Sequence, residues 1–150
     1  MESIDRLLNY TIWANNVILA VLEKYGAQAP AASIRLMSHL ANSQTVWLAR
    51  LRNENPAVGI WDEHDLETIK RMNGESLQGF KALLDRPDAG FNENIDYKNS
   101  MGMSFQNSVH DIFLQMLSHG CYHRGQVAMQ LRQNGLDPVN TDYIMYLRTT

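Results

Sequence analysis

Two histidines four residues apart are the strongest chemical feature of the sequence. His119 and His123 lie in the segment SHGCYHRGQ, residues 118–126, within a pattern typical of a long helix. Residues at this spacing share one helix face, with Cβ atoms roughly 5 to 6 Å apart, so both imidazoles can reach one ion. Catalytic sites for zinc-like ions use three protein ligands and leave one position for water or substrate. The pair therefore predicts a partial ligand set that requires a third member.

His39 is the candidate for that third ligand, because it falls within the apolar stripe of an earlier helix. A lone histidine on such a stripe is more often a hydrogen-bonded core residue, and the His119/His123 spacing alone is only moderately specific. His64, in the acidic segment DEHDLE, is better explained as a solvated residue at a helix start. His110 is half a helical turn out of phase with His119, so we expect it to face away from the site.

Cys121 lies between the two histidines, but a step of two residues rotates a helical side chain by about 200°. We therefore expect its thiol to be buried, unreactive and turned away from the metal-binding face. The segment HGCYH also lacks the glutamate that follows the first histidine of zinc peptidases and acts as their general base. Chemistry at this site must then rest on metal-bound water or on a metal-bound substrate group.

The composition excludes several classes of function. The chain of 150 residues is long enough to bury roughly 70% of its unfolded surface, so we expect one domain, 1–150. A formal net charge of -3 without a basic run argues against nucleic acid as a partner. No apolar run approaches the ~18 residues of a membrane span, and no signal-peptide pattern is present. With a single cysteine, we expect a cytoplasmic protein without a membrane partner.

Amphipathic helices must position these residues, because apolar side chains recur at spacings of three and four along most of the chain. Ser3 and Ser33 are candidate N-caps of the first and second helices. The break at Asn73 and Gly74 leaves open whether the third pattern is one helix with a weak point or two helices. The helical patterns cover residues 4–25, 33–51, 62–84, 106–134 and 141–148.

Residues 85–105 lose the helical periodicity and are predicted to form a loop, with a short hairpin at best. A loop of this length is large enough to cover a site. Without a strong strand pattern or an internal repeat, the sequence predicts an all-α protein, an up-and-down four-helix bundle with a short C-terminal helix. Metal sites in such bundles use inward side chains from facing helices, which is where the histidines are expected.

The H-x-x-x-H-R-G-Q pattern at residues 119–126 is also the most specific of four segments that resemble one family. The others are YTIWAN at 10–15, SHLANSQTVWLARL at 38–51 and DYIMYLR at 142–148. Over nearly its whole length, the sequence resembles the DinB-like (DinB/YfiT) metalloproteins. The resemblance implies a four-helix bundle with a divalent metal on three histidines, one from the second helix and two from the motif helix. Those roles fall on His39, His119 and His123.

Several other residues are judged against this resemblance. Many relatives carry an acidic residue shortly after the second-helix histidine, whereas this chain has Gln44, which puts the role of that acid in doubt here. Arg124 either acts at the site or forms a structural ion pair, and Gln126 either acts there or bonds between helices. Gly125 is expected to mark a close approach of two helices, despite its cost in a helix. Residues expected to be core aromatics are Trp13 and Trp47.

The activity implied by the resemblance is the transfer of a low-molecular-weight thiol, such as bacillithiol or mycothiol, to an electrophile, or its use by an isomerase. A divalent ion stabilises a coordinating thiolate and can deprotonate the thiol without a protein base. Two alternatives stay open: a hydrolase that uses metal-bound water, and a non-catalytic metal-binding stress protein. Zn or Ni is the favoured metal, with Fe, Mn or Cu as alternatives. We also expect a homodimer, at an interface that the sequence does not locate.

Overall fold

The computed structural model describes residues 2–86 and 90–149. Within these residues the chain forms five α-helices and one β-hairpin, and a 3-10 turn over Gly26–Gln28 joins the first two helices. The expected all-α fold class is confirmed. The elements are α1 (Glu2–Tyr25), α2 (Ala31–Leu51), α3 (Leu66–Leu84), β1 (Asn94–Lys98), β2 (Ser104–Ser108), α4 (Val109–Gln133) and α5 (Tyr143–Thr149).

The four long helices form a bundle in which α1 and α2 lie on a diagonal. α2 packs against α3 and α4, and α1 packs against the same two helices, with little direct contact between α1 and α2. α5 packs on α1. No helix of the described chain is both long enough and apolar enough to span a membrane. Because α2 and α4 are neighbours, the His39 position and the H-x-x-x-H motif come to lie on adjacent helices.

The core consists of two apolar clusters with polar residues between them along each long helix. One cluster includes Ile18, Leu22, Met37, Leu40, Ile69, Val127 and Leu131. The other includes Leu8, Leu48, Leu77, Phe80, Phe113 and Met116. The residues between them are all buried, and we call them the polar layer: Thr11, Asn15, Gln44, Asn73, Ser76 and Arg124.

The first two helices begin earlier than the serines suggested. α2 begins at Ala31, with Pro30 at the N-cap position. Ser33 is buried, and its hydroxyl donates to Gln130 Oε1 at 2.8 Å, so it links α2 to α4 instead of capping a helix. Ser3 lies inside α1 and is not its N-cap either. Both cap assignments were wrong, because the tertiary contact of Ser33 and the upstream start of α1 are not visible in local patterns.

The third helix begins at Leu66, where Asp65 accepts a hydrogen bond from the Thr68 amide at 2.8 Å. The predicted start at residue 62 was therefore too early. α3 continues through the Asn73-Gly74 break as one helix. Asn73 is buried and accepts a hydrogen bond from α1. A glycine within a helix costs about 1 kcal/mol relative to alanine, and we attribute the tolerance of Gly74 to this packing of Asn73.

The segment before α4 forms an antiparallel hairpin, in which β1 pairs with β2 through partners such as Tyr97 and Phe105. The segment predicted as a loop, with a short hairpin at best, thus contains a hairpin. α4 begins at Val109 instead of residue 106. Ser108 caps α4 by accepting from the Asp111 amide at 3.1 Å. The strands are largely exposed, which explains why they lack a clear apolar alternation. Residues 87–89 of the predicted loop lie outside the described residues.

Close approach of two helices occurs at a glycine other than the expected one. A Cβ on Gly125 would meet nothing within 4 Å, so its assignment as a close-approach point was wrong. Gly79 takes that role between α3 and α2, because a Cβ there would collide with the Leu48 side chain. On α4, a Cβ on Gly120 would lie 2.8 Å from Nη1 of Arg124. The glycine at 120 therefore leaves room for the buried guanidinium.

Candidate metal centre

The three histidines converge in the groove between α2 and α4. Nε2 of His119 lies 3.3 Å from Nε2 of His39 and 2.9 Å from Nε2 of His123. One ring nitrogen from each of the three lies within 4.8 Å of the others. Imidazole ligands at about 2.0 to 2.1 Å from a tetrahedral ion are roughly 3.3 Å from one another. The spacing of these nitrogens therefore fits a single divalent ion.

The outer nitrogens of two rings are fixed by hydrogen bonds that select the ligand tautomer. Nδ1 of His39 donates to the Ile60 carbonyl oxygen at 3.1 Å. Nδ1 of His123 donates to Gln126 Oε1 at 2.6 Å. Because both oxygens are acceptors, each ring carries its hydrogen on Nδ1 and directs the lone pair of Nε2 toward the centre. Gln126 thus orients a histidine of its own helix, and among the described residues its side chain forms no hydrogen bond to another helix.

Burial favours the neutral form of His39 and His119. Burial lowers the pKa of His39, and the nearby His123 adds to this effect, while the hydrogen bond to Ile60 opposes it. Burial lowers the pKa of His119 to about 4, with further lowering by the positive charges that His123 and His39 can carry. A neutral imidazole is the form that binds metal ions. The environment therefore holds His39 and His119 in the ligand form.

A tryptophan that the sequence did not indicate covers one ligand ring. Trp61 stacks on His39, with ring centroids 3.9 Å apart and an angle of 14° between the planes. Its side chain is nevertheless 63% exposed. No helical periodicity connects position 61 with position 39, so only the folded chain reveals this contact. The indole separates one face of His39 from solvent and limits the movement of the ring.

The connection between α2 and α3 is held over the site by side chains of α2. Asn42 Nδ2 donates to the carbonyl oxygens of Asp62 at 2.7 Å and Ile60 at 3.3 Å, and its Oδ1 accepts from His64 Nε2 at 2.8 Å. The His64 amide donates to Ser38 Oγ at 3.2 Å. His64 is therefore half-buried and bonded, not solvated as expected, although it stays outside the triad as predicted.

Cys121 is exposed, which contradicts the expectation of a buried thiol. Its sulfur lies outside the group of converging ligand atoms and accepts a hydrogen bond from Arg124 Nη2 at 3.2 Å. The helical rotation gave its direction correctly, away from the metal-binding face. His110 also faces away from the triad, and its ring packs against Phe91 with centroids 6.4 Å apart. Burial of Cys121 was misjudged because its sulfur stays exposed although it lies 3.9 Å from the hydroxyl of Tyr10 on α1.

Arg124 belongs to the polar layer and not to the metal centre. Its side chain is 1% exposed. Nη1 donates to Asn15 Oδ1 at 2.8 Å, and the guanidinium lies 5.2 Å from the centroid of the Tyr10 ring. Within the described chain, no carboxylate forms a salt bridge with it. The alternative of a structural ion pair was therefore wrong, although the role of Arg124 is structural.

Gln44 also faces away from the histidines. Its side chain is 2% exposed, and Oε1 accepts from Ser76 Oγ on α3 at 3.1 Å. Trp13 and Trp47, expected in the core, are half-buried. Trp13 packs against Tyr146 of α5, with centroids 5.7 Å apart, and Trp47 packs against Tyr97 of the hairpin, at 5.2 Å. These tryptophans anchor peripheral elements and do not line the triad.

The fold and the site define a class of protein: a helical bundle whose adjacent helices present three converging imidazoles that could hold a divalent ion. The chain matches the DinB family over residues 1–150, and it belongs to that family. It is also similar to Protein DinB of Bacillus subtilis (strain 168), with 23% identity over 161 residues, covering 97% of this chain and 94% of the relative. The family expected from the sequence is thereby confirmed.

Proposed function

We propose that this protein binds a divalent metal ion through His39, His119 and His123 and transfers a low-molecular-weight thiol to an electrophile. The observation that carries the proposal is the convergence of three Nε2 atoms on one point between α2 and α4. Membership of the DinB family supports it. The substrates proposed are a small thiol and a small electrophile.

The chemistry of the donor set favours thiol transfer over hydrolysis. A bound divalent ion stabilises the thiolate of a coordinating thiol, which is the nucleophilic form. The protein groups hold the imidazoles in the ligand tautomer through Ile60 and Gln126, and Trp61 shields one ring from water. In residues 2–86 and 90–149, the ligand group around the triad contains no carboxylate that could act as general base. A thiol nucleophile needs no such base, whereas activation of water commonly uses one.

A purely structural ion is the less favoured alternative. Structural zinc sites are usually closed by four protein ligands, whereas the described group offers three. We propose Zn or Ni as the metal, because imidazole ligands suit both. A homodimer in the cytoplasm, without a nucleic-acid partner, is also part of the proposal.

The test compares the metal-loaded protein with variants of single histidines. We expect the wild-type protein to bind one equivalent of Zn²⁺ or Ni²⁺ by titration calorimetry and to conjugate a thiol to a chromogenic electrophile. His119→Ala should lose both properties, whereas His110→Ala, a histidine outside the triad, should retain them. Equal inertness of the loaded wild-type protein and His119→Ala across a panel of thiols would refute thiol transfer. If the protein binds the metal but shows no activity with any thiol, the ion has a structural role.

A further inference from the structure

A cleft of about 860 Å³ lies between α2 and the hairpin, and Ile60 is its link to the metal centre, since the three histidines do not line it. Its walls come from the C-terminal half of α2, the connection between α2 and α3, and both strands of the hairpin. Ile60 lines the cleft, and its backbone carbonyl oxygen accepts a hydrogen bond from Nδ1 of His39. Val46 and Arg50 of α2 also line the cleft. They lie on the same face of the helix as His39, since steps of seven and eleven residues return a helical side chain to within about 20°.

Arg50 is the half-buried charged residue of this cleft. Its guanidinium lies 4.4 Å from the centroid of the Trp47 ring and 4.6 Å from that of Tyr97. Nη2 donates to the Lys98 carbonyl oxygen at 3.2 Å. In the part of the chain that the structure describes, no carboxylate forms a salt bridge with Arg50. The side chain is therefore fixed by two aromatic rings, while its charge has no counter-ion among the described residues.

The other charged residues of the cleft are all exposed. They are Glu54, Asp96 and Lys98. Asp96 accepts a hydrogen bond from Gln106 Nε2 at 3.0 Å. Solvent and salt screen exposed charges more strongly than a half-buried one. The guanidinium of Arg50 is thus the charge best placed to select a ligand, and its planar fork matches a carboxylate.

The distance from Arg50 to the metal centre suits a small extended molecule. The Cα atoms of His39 and Arg50 are separated by about 16 Å along the helix axis. The guanidinium packs on Trp47, three residues closer to His39, so the span is reduced by about 4.5 Å to roughly 12 Å. A thiol of tripeptide size extends over about 10 Å. The length of such a ligand therefore approaches the span from the triad to Arg50.

We propose that this cleft is the subsite for the thiol substrate, and that Arg50 binds a carboxylate at the end of the molecule remote from the sulfur. The substrate class is thus an extended, carboxylate-bearing low-molecular-weight thiol, and uncharged thiols of the same size are poor ligands. The inference rests on the proposed thiol transfer, but the anionic subsite can be measured without metal or turnover.

The first experiment measures binding to the metal-free protein by titration calorimetry. The probes are S-methylglutathione, which carries two carboxylates and a blocked sulfur, and its diethyl ester, in which both carboxylates are neutralised. We expect the acid to bind at least about tenfold more tightly than the ester, the effect of one charge-assisted hydrogen-bonded pair. Arg50→Gln should remove this preference. Arg71→Gln, which changes an exposed arginine on α3 outside this cleft, should keep it.

Arg50→Lys serves as the second variant, because it keeps the positive charge if Arg50→Gln fails to fold. It should retain part of the preference, since an ammonium attracts a carboxylate but lacks the planar fork. Equal binding of acid and ester by the wild-type protein, absence of binding, or an unchanged preference in both Arg50 variants would overturn the subsite. Loss of transfer activity in His119→Ala together with an intact acid preference would support the subsite independently. An intact preference in a wild-type protein that transfers no thiol would reject the proposed reaction while leaving an anion-binding cleft.

Discussion

His123 and Arg124 are neighbours in one motif, both are buried, and their side chains enter two different kinds of polar cluster. At the triad, the Nε2 atoms of three imidazoles face one another, and the Nδ1 hydrogen bonds of His39 and His123 direct the lone pairs of their Nε2 atoms inward. In the polar layer, donors meet acceptors: Arg124 donates to Asn15, and Asn15 donates to Asn73 Oδ1 at 2.8 Å. Convergence of like acceptors favours an external cation, whereas alternation of donors and acceptors is typical of a structural network.

The polar layer nevertheless leaves some of its hydrogen-bonding capacity unused. Among the described residues, three buried side-chain atoms have no hydrogen-bond partner, and all three belong to this layer: Thr11 Oγ1, Gln44 Nε2 and Arg124 Nε. An unpaired buried polar group costs roughly 1 to 3 kcal/mol. The layer is therefore expected to confer specificity of packing between α1, α3 and α4 more than stability. The triad, in contrast, is expected to gain its stability from the ion.

The largest effect should come from breaking the polar layer with Arg124→Ala. The substitution empties the volume of a large, fully buried side chain and leaves Asn15 Oδ1 without its donor. We expect the free energy of unfolding to fall by about 3 to 5 kcal/mol, measured by urea denaturation of the metal-free protein. Arg132→Ala, on the last turn of the same helix, is the control. If Arg124→Ala abolished metal binding with unchanged stability, the separation of the two clusters would be wrong.

The next effect concerns the metal centre alone and uses Gln126→Ala. Without the oxygen that fixes Nδ1 of His123, the ring loses its tautomer and its orientation. We expect metal affinity to fall about 10- to 100-fold, which is typical for loss of a partner behind a ligand. Competition with a chromogenic chelator measures this change, and stability without metal should barely move. Gln115→Ala, on the exposed face of α4, should bind metal like the wild-type protein.

A smaller effect, the pH dependence of the free energy of unfolding, distinguishes the triad from the polar layer. The pKa of His119 is about 4 in the folded protein, against 6.5 when unfolded, so the unfolded state binds more protons between these values. Stability of the metal-free protein should therefore fall as pH drops from about 6.5 to about 4, by about 1 to 2 kcal/mol after allowance for the partial exposure of the ring.

Urea denaturation across this pH range measures the effect. His119→Gln should reduce the slope, because it removes the group with the larger pKa shift and leaves only the contribution of His39, whereas His110→Gln should preserve it. An unchanged slope in His119→Gln would show that other groups cause the pH dependence.

The smallest effect is expected from Trp61→Ala, which removes the ring stacked on His39. Because the indole is mostly exposed, stability should change by less than about 1 kcal/mol. Metal affinity should fall only a few-fold, since His39 keeps its bond to Ile60, and bound metal should exchange faster with a chelator. Trp13→Ala, at the α5 side of the bundle, should leave the exchange rate unchanged. Unaltered exchange in Trp61→Ala would mean that the stacked ring does not restrict access.

Helical periodicity and ligand spacing could be predicted because they are local properties. His119 and His123 share a face by helix geometry alone, and the absence of a zinc-peptidase glutamate can be read directly in HGCYH. Burial of Cys121 and the role of Gly125 were misjudged, because both depend on whether a neighbouring helix covers that side of α4. Trp61 was missed because its partner lies on another element, without a spacing rule to connect them.

The sequence by itself determined the helical class, the family and the histidines that could serve as ligands, since these follow from periodicity, residue chemistry and an extended motif. Only the tertiary structure decided which helices are neighbours, and so brought His39 to the other two histidines. It also directed Arg124 toward Asn15 without a carboxylate and placed Arg50 between two aromatic rings in a cleft. The physical reason is that hydrogen bonding and burial of a side chain depend on packing between segments distant in sequence.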